Sequence, residues 1–143
     1  MELKTFILRI LIAMAAGVII GLERQIHHKS AGTRTNALVA MGSAMFVLLS
    51  LQLTGEKGGD ATRIIGQIVT GIGFLGAGVI LHQGVNIQGL TTAATIWCSS
   101  AIGCLAAAGY YAEVAVCVLG VVVVNVVFRK VDDLIKKPDS HDV

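Results

Sequence analysis

The sequence predicts an all-α fold, a polytopic membrane helix bundle of about five transmembrane helices, and three observations lead there. Hydrophobic residues make up 55% of the 143 residues and charged residues 14%, where an average soluble chain carries about 25% charged. Residues 64–112 hold no Asp, Glu, Lys or Arg, a stretch that a single soluble domain cannot hide and a bilayer can. The apolar runs also come in lengths near the roughly 20 residues that cross a bilayer as a helix. The formal net charge is only +2. This composition excludes a nucleic-acid binder working through a basic surface, a disordered tail and a secreted disulfide scaffold. Cys98, Cys104 and Cys117 all fall in apolar runs, where a thiol is usually a small buried hydrophobe.

The first span, residues 5–22, carries one charge, Arg9, and is closed by Glu23 and Arg24. Its basic start and Ala13-Met14-Ala15 imitate a signal peptide, but the run continues unbroken to Leu22 and more apolar segments follow. The second span covers 35–54. The third, 64–81, ends at the polar break of His82, Gln83, Gly84 and Asn86. The fourth covers 90–108 and stops at Gly109, Tyr110 and Tyr111; the fifth, 112–128, is rich in valine and closed by Arg129 and Lys130. Residues 1–128 thus read as one transmembrane domain and 129–143 as a short cytoplasmic tail. Basic residues concentrate on the side holding the first loop and the C-terminus. The positive-inside rule then puts the N-terminus outside and the C-terminus in the cytoplasm.

An offset of 57 positions aligns two junctions without a gap. Gly21 falls on Gly78, Gly32 on Gly89, Thr35 on Thr92, Ala37 on Ala94, Ser43 on Ser100 and Ala44 on Ala101. Each half reads as a span, a polar loop of equal length, a glycine and threonine-rich first turn, and a second span. This predicts a parallel two-helix internal repeat about an axis near the membrane normal, against chance likeness among small apolar residues. Glycine is also abundant, at 17 residues. Small residues let helix backbones approach in lipid, and Ala13, Gly17 and Gly21 share a spacing of four with Ser99, Gly103 and Ala107. Gly73, Gly76 and Gly78 join Gly17, Gly21 and Gly103 as expected packing positions. Tight packing within one bundle is the plain reading, and a homo-oligomer contact, a dimer first, is the sharper one. Gly71 to Gly76 spells G-x-G-x-x-G in mid-span, without the strand, helix and acidic residue that a dinucleotide site needs.

The densest polar cluster is the first junction, Glu23, Arg24 and Gln25 followed by Arg34, Thr35 and Asn36. Charges at the edge of hydrocarbon are costly unless paired, so a Glu23–Arg34 pair pinning the first two helices is expected. The competing reading is a pocket for an anionic group or a docking surface. In the second half Gly89, Thr91, Thr92 and Thr95 take the equivalent place, where threonines usually bond their own backbone. At the other side Asp60 and Arg63 open the third span, with Asp60 as an N-cap. Glu56 with Asp60 is a weak candidate for a hydrated Mg²⁺. His27, His28 and His82 lack metal-site spacing. No nucleophile, base and oxyanion group assembles, so the sequence reads as no enzyme and calls for no cofactor.

Two pairs of runs carry a resemblance. Gly21-Leu22-Glu23-Arg24-Gln25 and Gly32-Thr33-Arg34-Thr35-Asn36-Ala37-Leu38-Val39, then Gly71 to Ile80 and Gly89 to Cys98 through Trp97, resemble the bacterial MgtC/SapB membrane family. The likeness covers residues 10–108. It implies a bacterial inner-membrane protein linked to growth at low Mg²⁺ and, in pathogens, to survival inside host cells. It does not imply an established transporter. Many members continue into a soluble C-terminal domain, whereas about 15 residues follow Phe128 here, so a role carried by that domain is not implied. The leading expectation is a non-enzymatic regulator of other inner-membrane proteins, acting in the bilayer and not on nucleic acid. The alternative is a small ion or solute conduit, with Mg²⁺ a candidate cargo, formed by the repeat or an oligomer.

Overall fold

The computed structural model describes residues 1–57, 60–83 and 86–135. Among these the chain forms five α-helices: α1 Leu3–Ile26, α2 Thr33–Lys57, α3 Thr62–Gly78, α4 Leu90–Ala108 and α5 Tyr111–Ile135. Strands β1 Leu81–Gln83 and β2 Asn86–Gln88 pair antiparallel, Leu81 opposite Gln88 and Gln83 opposite Asn86. Of the described helices α1, α2, α4 and α5 are long and apolar enough to cross a membrane. The chain is therefore an all-α membrane bundle.

Two boundaries differ from the sequence reading. α3 ends at Gly78, and the run to Leu81 turns into the hairpin. Gly76 and Gly78 are poor helix formers and Val79-Ile80 are β-branched, so nothing sustains the helix there. At about 1.5 Å per residue, a helix of this length reaches about 25 Å, short of the roughly 30 Å hydrocarbon core. Between the end of α3 and the start of α4 the described residues 79–83 and 86–89 carry the two strands. The loop is not the equal-length copy that the repeat implies, since α1 and α2 are joined by residues 27–32 alone. At the other boundary α5 runs past Arg129 and Lys130 to Ile135, so the first part of the supposed tail is helix.

The core lies where α1, α2 and α4 meet. Ala13, Ala16, Ile20, Ala44, Leu48, Ile102, Ala106 and Ala107 are buried there, with Val114 and Val118 of α5. Glycine sets the spacing at three points. A Cβ on Gly17 would stand 2.4 Å from the Asn36 carbonyl oxygen, one on Gly21 2.5 Å from Thr33 Cα, and one on Gly103 2.1 Å from the Ala40 carbonyl oxygen. α1 therefore lies backbone-to-backbone against α2, and α4 against an adjoining face of α2. Both small-residue faces are consumed inside the bundle, which leaves neither for an oligomer. Gly73 and Gly78 meet nothing within 4 Å and Gly76 makes only an ordinary contact with Ala93. Gly76 is buried against α4 with room for a methyl group, whereas Gly73 and Gly78 pack against nothing.

α2 and α4 run parallel, as the advance from Asn36–Ser99 to Ala40–Gly103 requires. Between them Ser43 and Ser100, which the 57-residue offset makes equivalent, share a hydrogen bond of 2.7 Å. At the opposite end Arg9 Nη1 donates to the Ala107 carbonyl at 2.6 Å. A cation there complements the carbonyls that a helix C-terminus leaves unsatisfied. Gly109, with φ +92°, ends α4 in a Schellman turn, its N–H reaching Ala106 O and the Tyr110 N–H reaching Leu105 O.

At the start of α3 Ala61 already has helical dihedrals, φ −66° and ψ −21°, and makes no side-chain cap. Asp60 before it accepts from Thr62 N–H at 2.9 Å and Thr62 Oγ1 at 2.6 Å, an Asx turn that caps the helix start. These bonds hold its carboxyl below the usual range. The turn is complete above about pH 4, the unfolded-state value, and is lost as pH falls through the lower folded-state value. The side chain of Glu56 lies outside the described residues, and so does the Glu56–Asp60 metal candidate.

Candidate functional site at the junction of α1, α2 and α4

The site is built from the loop at residues 27–32 and the first turns of α2 and α4. α1 closes in a Schellman turn: His28 N–H bonds Gln25 O and Lys29 N–H bonds Arg24 O. That turn puts His28 at φ 53°, and Ala31 follows at φ 56°. Left-handed backbone at two residues that carry a Cβ is strained, and such strain gathers at functional sites. Ala31→Gly is accordingly expected to stabilise the protein by about 1 kcal/mol, read as a raised midpoint of thermal unfolding in detergent. No change or a loss would mean that Ala31 is not held by strain.

Arg24 is the centre of the site. It is 3% exposed, and its guanidinium donates to the Ser30 carbonyl through Nε at 3.3 Å and Nη2 at 3.0 Å. Nη2 also donates to Thr92 Oγ1 on α4. Ser30 and Thr92 hydroxyls lie 3.1 Å apart. A buried cation is thus held by neutral oxygens and ties α1 to α4. Beside it, fully buried Asn36 donates through Nδ2 to the Ala31 and Gly32 carbonyls and accepts at Oδ1 from Ser99 Oγ at 2.7 Å. One amide therefore closes the loop, starts α2 and holds α4.

The expected Glu23–Arg34 pair does not form. Glu23 lies with His27 Nδ1 at 2.9 Å and Arg129 Nη1 of α5 at 3.8 Å, while Arg34 is exposed on α2. The reason is helical phase. Glu23 points toward α5, Arg24 one residue on points into the bundle, and Arg34 stands on the outer side of α2. Thr35 is also exposed. In the second half Gly89 has φ +92° and a Cβ there would stand 2.0 Å from the Val79 carbonyl oxygen, so glycine is required. Thr91 is exposed, and its carbonyl accepts from Thr95 Oγ1 at 2.8 Å. Thr95 also lies 3.5 Å from Asn125 Nδ2 on α5. Trp97 is half exposed and Cys98 is a free thiol of intermediate burial. Arg63 is exposed beside Asp60. Among the described residues no three His, Cys, Asp or Glu side chains come together.

Sequence reasoning missed Ser30, Asn125 and the Arg129 partner of Glu23. Ser30 is an unremarked loop residue that turns through its carbonyl. The two α5 residues had a signal, for Asn125 is the one amide in a valine run and Arg129 follows it by four.

The sequence matches the MgtC family over residues 10–134. The chain belongs to the MgtC family. It is 49% identical over 117 residues to Protein MgtC of Brucella abortus (strain 2308), covering 82% of this chain and 48% of that protein. It is 46% identical over 125 residues to Protein MgtC of Salmonella typhimurium (strain 14028s / SGSC 2262), covering 87% and 53%. The chain thus spans about half the length of the curated MgtC relatives it matches. The matched MgtC region includes Arg24, Asn36, Thr92 and Ser99, the whole of the junction described above. No solved structure matches the chain.

Proposed function

We propose that this membrane protein is a non-enzymatic regulator of other inner-membrane proteins, acting in adaptation to low Mg²⁺ or related stress. One observation carries the reading. Arg24, Asn36, Thr92, Ser99, Ser43 and Ser100 are buried and bond one another or nearby backbone. Polar groups used in this way make a rigid frame, whereas an ion pathway keeps ionisable groups facing its cargo. Exposed apolar faces remain for the membrane and its proteins, those of α3 and α5 carrying Phe74 at 82% and Val116 at 70% exposure. Self-association, a dimer first, belongs to the same proposal and uses those faces, because the glycine faces are filled. The low-Mg²⁺ setting, and survival inside host cells for pathogens, follow the family resemblance.

Photo-crosslinkers placed at Phe74 and Val116 in cells grown at limiting Mg²⁺ test the proposal. Defined crosslinks to membrane proteins, and lost growth in variants that lose them, are expected. Full growth from variants with no crosslink would overturn it. The basic-residue bias supports an N-terminus outside and a C-terminus in the cytoplasm, and reporter fusions at both ends check this; a cytoplasmic N-terminus would refute it. The second reading, a small conduit, is favoured by the buried row Thr92, Thr95, Ser99 and Ser100, which runs along α4 from the Arg24 end towards mid-helix.

A further inference from the structure

Between α2 and α3 lies an apolar groove of about 520 Å³, within the roughly 300–1,000 Å³ of sites that take a small ligand. Leu38, Gly42 and Phe46 line it from α2, and Ile68, Gly71 and Leu75 from α3. Gly42 and Gly71 have nothing within 4 Å of where a Cβ would stand. The groove is hollow because both helices lack a side chain there, not because a backbone must pass. Its α2 wall is a row at a spacing of four, and the next member of that row towards the loop is Arg34. The arginine is exposed in the first turn of α2. A cation in that position stands against the helix dipole, and no acidic residue accompanies it in the turn. Among the described residues no carboxylate pairs with Arg34, which thus places a positive charge at the membrane-surface end of the apolar groove.

We propose that this groove binds one anionic phospholipid, with an acyl chain between α2 and α3 and the headgroup phosphate at Arg34. The charge at one end and the apolar length beyond it match the two parts of such a lipid, and neither a free phosphate nor a neutral lipid matches both. The site is separate from the Arg24 junction, where the guanidinium is buried and already bonded.

The full chain purified in detergent is labelled with a phosphatidylglycerol carrying a diazirine on its acyl chain. Label is expected to concentrate on residues 38–46 and 68–75. Unlabelled phosphatidylglycerol should compete better than phosphatidylcholine by about fivefold, the worth of one arginine beside an anionic lipid. Arg34→Gln should erase that preference while leaving the labelled positions unchanged. Gly42→Leu, and separately Gly71→Leu, should cut groove labelling severalfold with helicity and labelling at Leu11 and Ile19 of α1 unchanged. Even labelling around the bundle, equal competition by phosphatidylcholine, or groove labelling untouched in both leucine variants would overturn the proposal. Competition by glycerol phosphate as strong as by phosphatidylglycerol would overturn it too, by showing a headgroup site alone.

Discussion

Gly103→Val is expected to part α2 from α4 and to give the largest loss of stability of any single change considered for this bundle. The first atom of the new side chain would stand 2.1 Å from the Ala40 carbonyl oxygen and 2.8 Å from its carbon. Backbone is the obstacle, so no rotamer relieves it and a helix must move. Overpacking a core usually costs about 1–3 kcal/mol, and with backbone on both sides the cost belongs at or above the upper end. The shift also pulls Ser99 from Asn36 and Ser100 from Ser43, two buried hydrogen bonds on the same helix pair. Thermal unfolding in detergent measures it. Gly42→Val is the control, since a Cβ at Gly42 has nothing within 4 Å, and it should unfold near the native temperature. Equal effects of the two substitutions would show that glycine packing does not hold α2 to α4.

Arg24→Ala is expected to weaken the junction by about 2–3 kcal/mol, the range for losing charged hydrogen bonds in a buried setting. It removes every bond from the guanidinium to Ser30 and Thr92 and leaves a void where the stem was. Arg24→Met keeps the volume and removes the charge. Exchanging a buried charge for a well-packed apolar group is often neutral or stabilising, so the methionine variant should stay near native stability, with Ser30 and Thr92 hydroxyls still bonding each other. Thr92→Val in the native background leaves the guanidinium short of an acceptor and should cost about 1–3 kcal/mol. Combined with Arg24→Met that cost should shrink, a coupling of the kind expected for direct partners. Strictly additive effects of the two changes would show that Arg24 and Thr92 do not interact.

Much of the fold was legible, because spans in lipid are announced by length and lack of charge. The apolar runs 5–22, 35–54 and 90–108 lie within helices α1, α2 and α4. The third run overshoots α3, since the rule counts apolar residues and the run from Ile64 to Leu81 is apolar throughout; what ends the helix is glycine at 76 and 78. The junction was legible as a cluster but not as a set of pairs. Glu23 and Arg24 are adjacent in sequence, yet they face different neighbours because successive helical residues turn by about 100°, and Arg34 stands exposed on another helix. Arg24 reaches α4 at Thr92, a partner that only the tertiary arrangement supplies. The offset of 57 had already set Ser43 beside Ser100 in alignment, and the structure sets them beside each other in space. The glycines divided by the same logic. Gly17, Gly21 and Gly103 face backbone, whereas Gly73 and Gly78 carry the same letter on a helix that packs loosely.

The central claim, that the polar interior is a frame for contacts and not a path for cargo, is tested most directly by flux. The purified full chain is reconstituted in sealed liposomes, and Mg²⁺ and monovalent-ion fluxes are followed with enclosed indicators across an imposed gradient. The account predicts fluxes equal to those of protein-free liposomes, with Ser100→Ala and Thr95→Val indistinguishable from the native chain. A flux above that baseline which Ser100→Ala or Thr95→Val abolishes, in variants that remain folded, would contradict it.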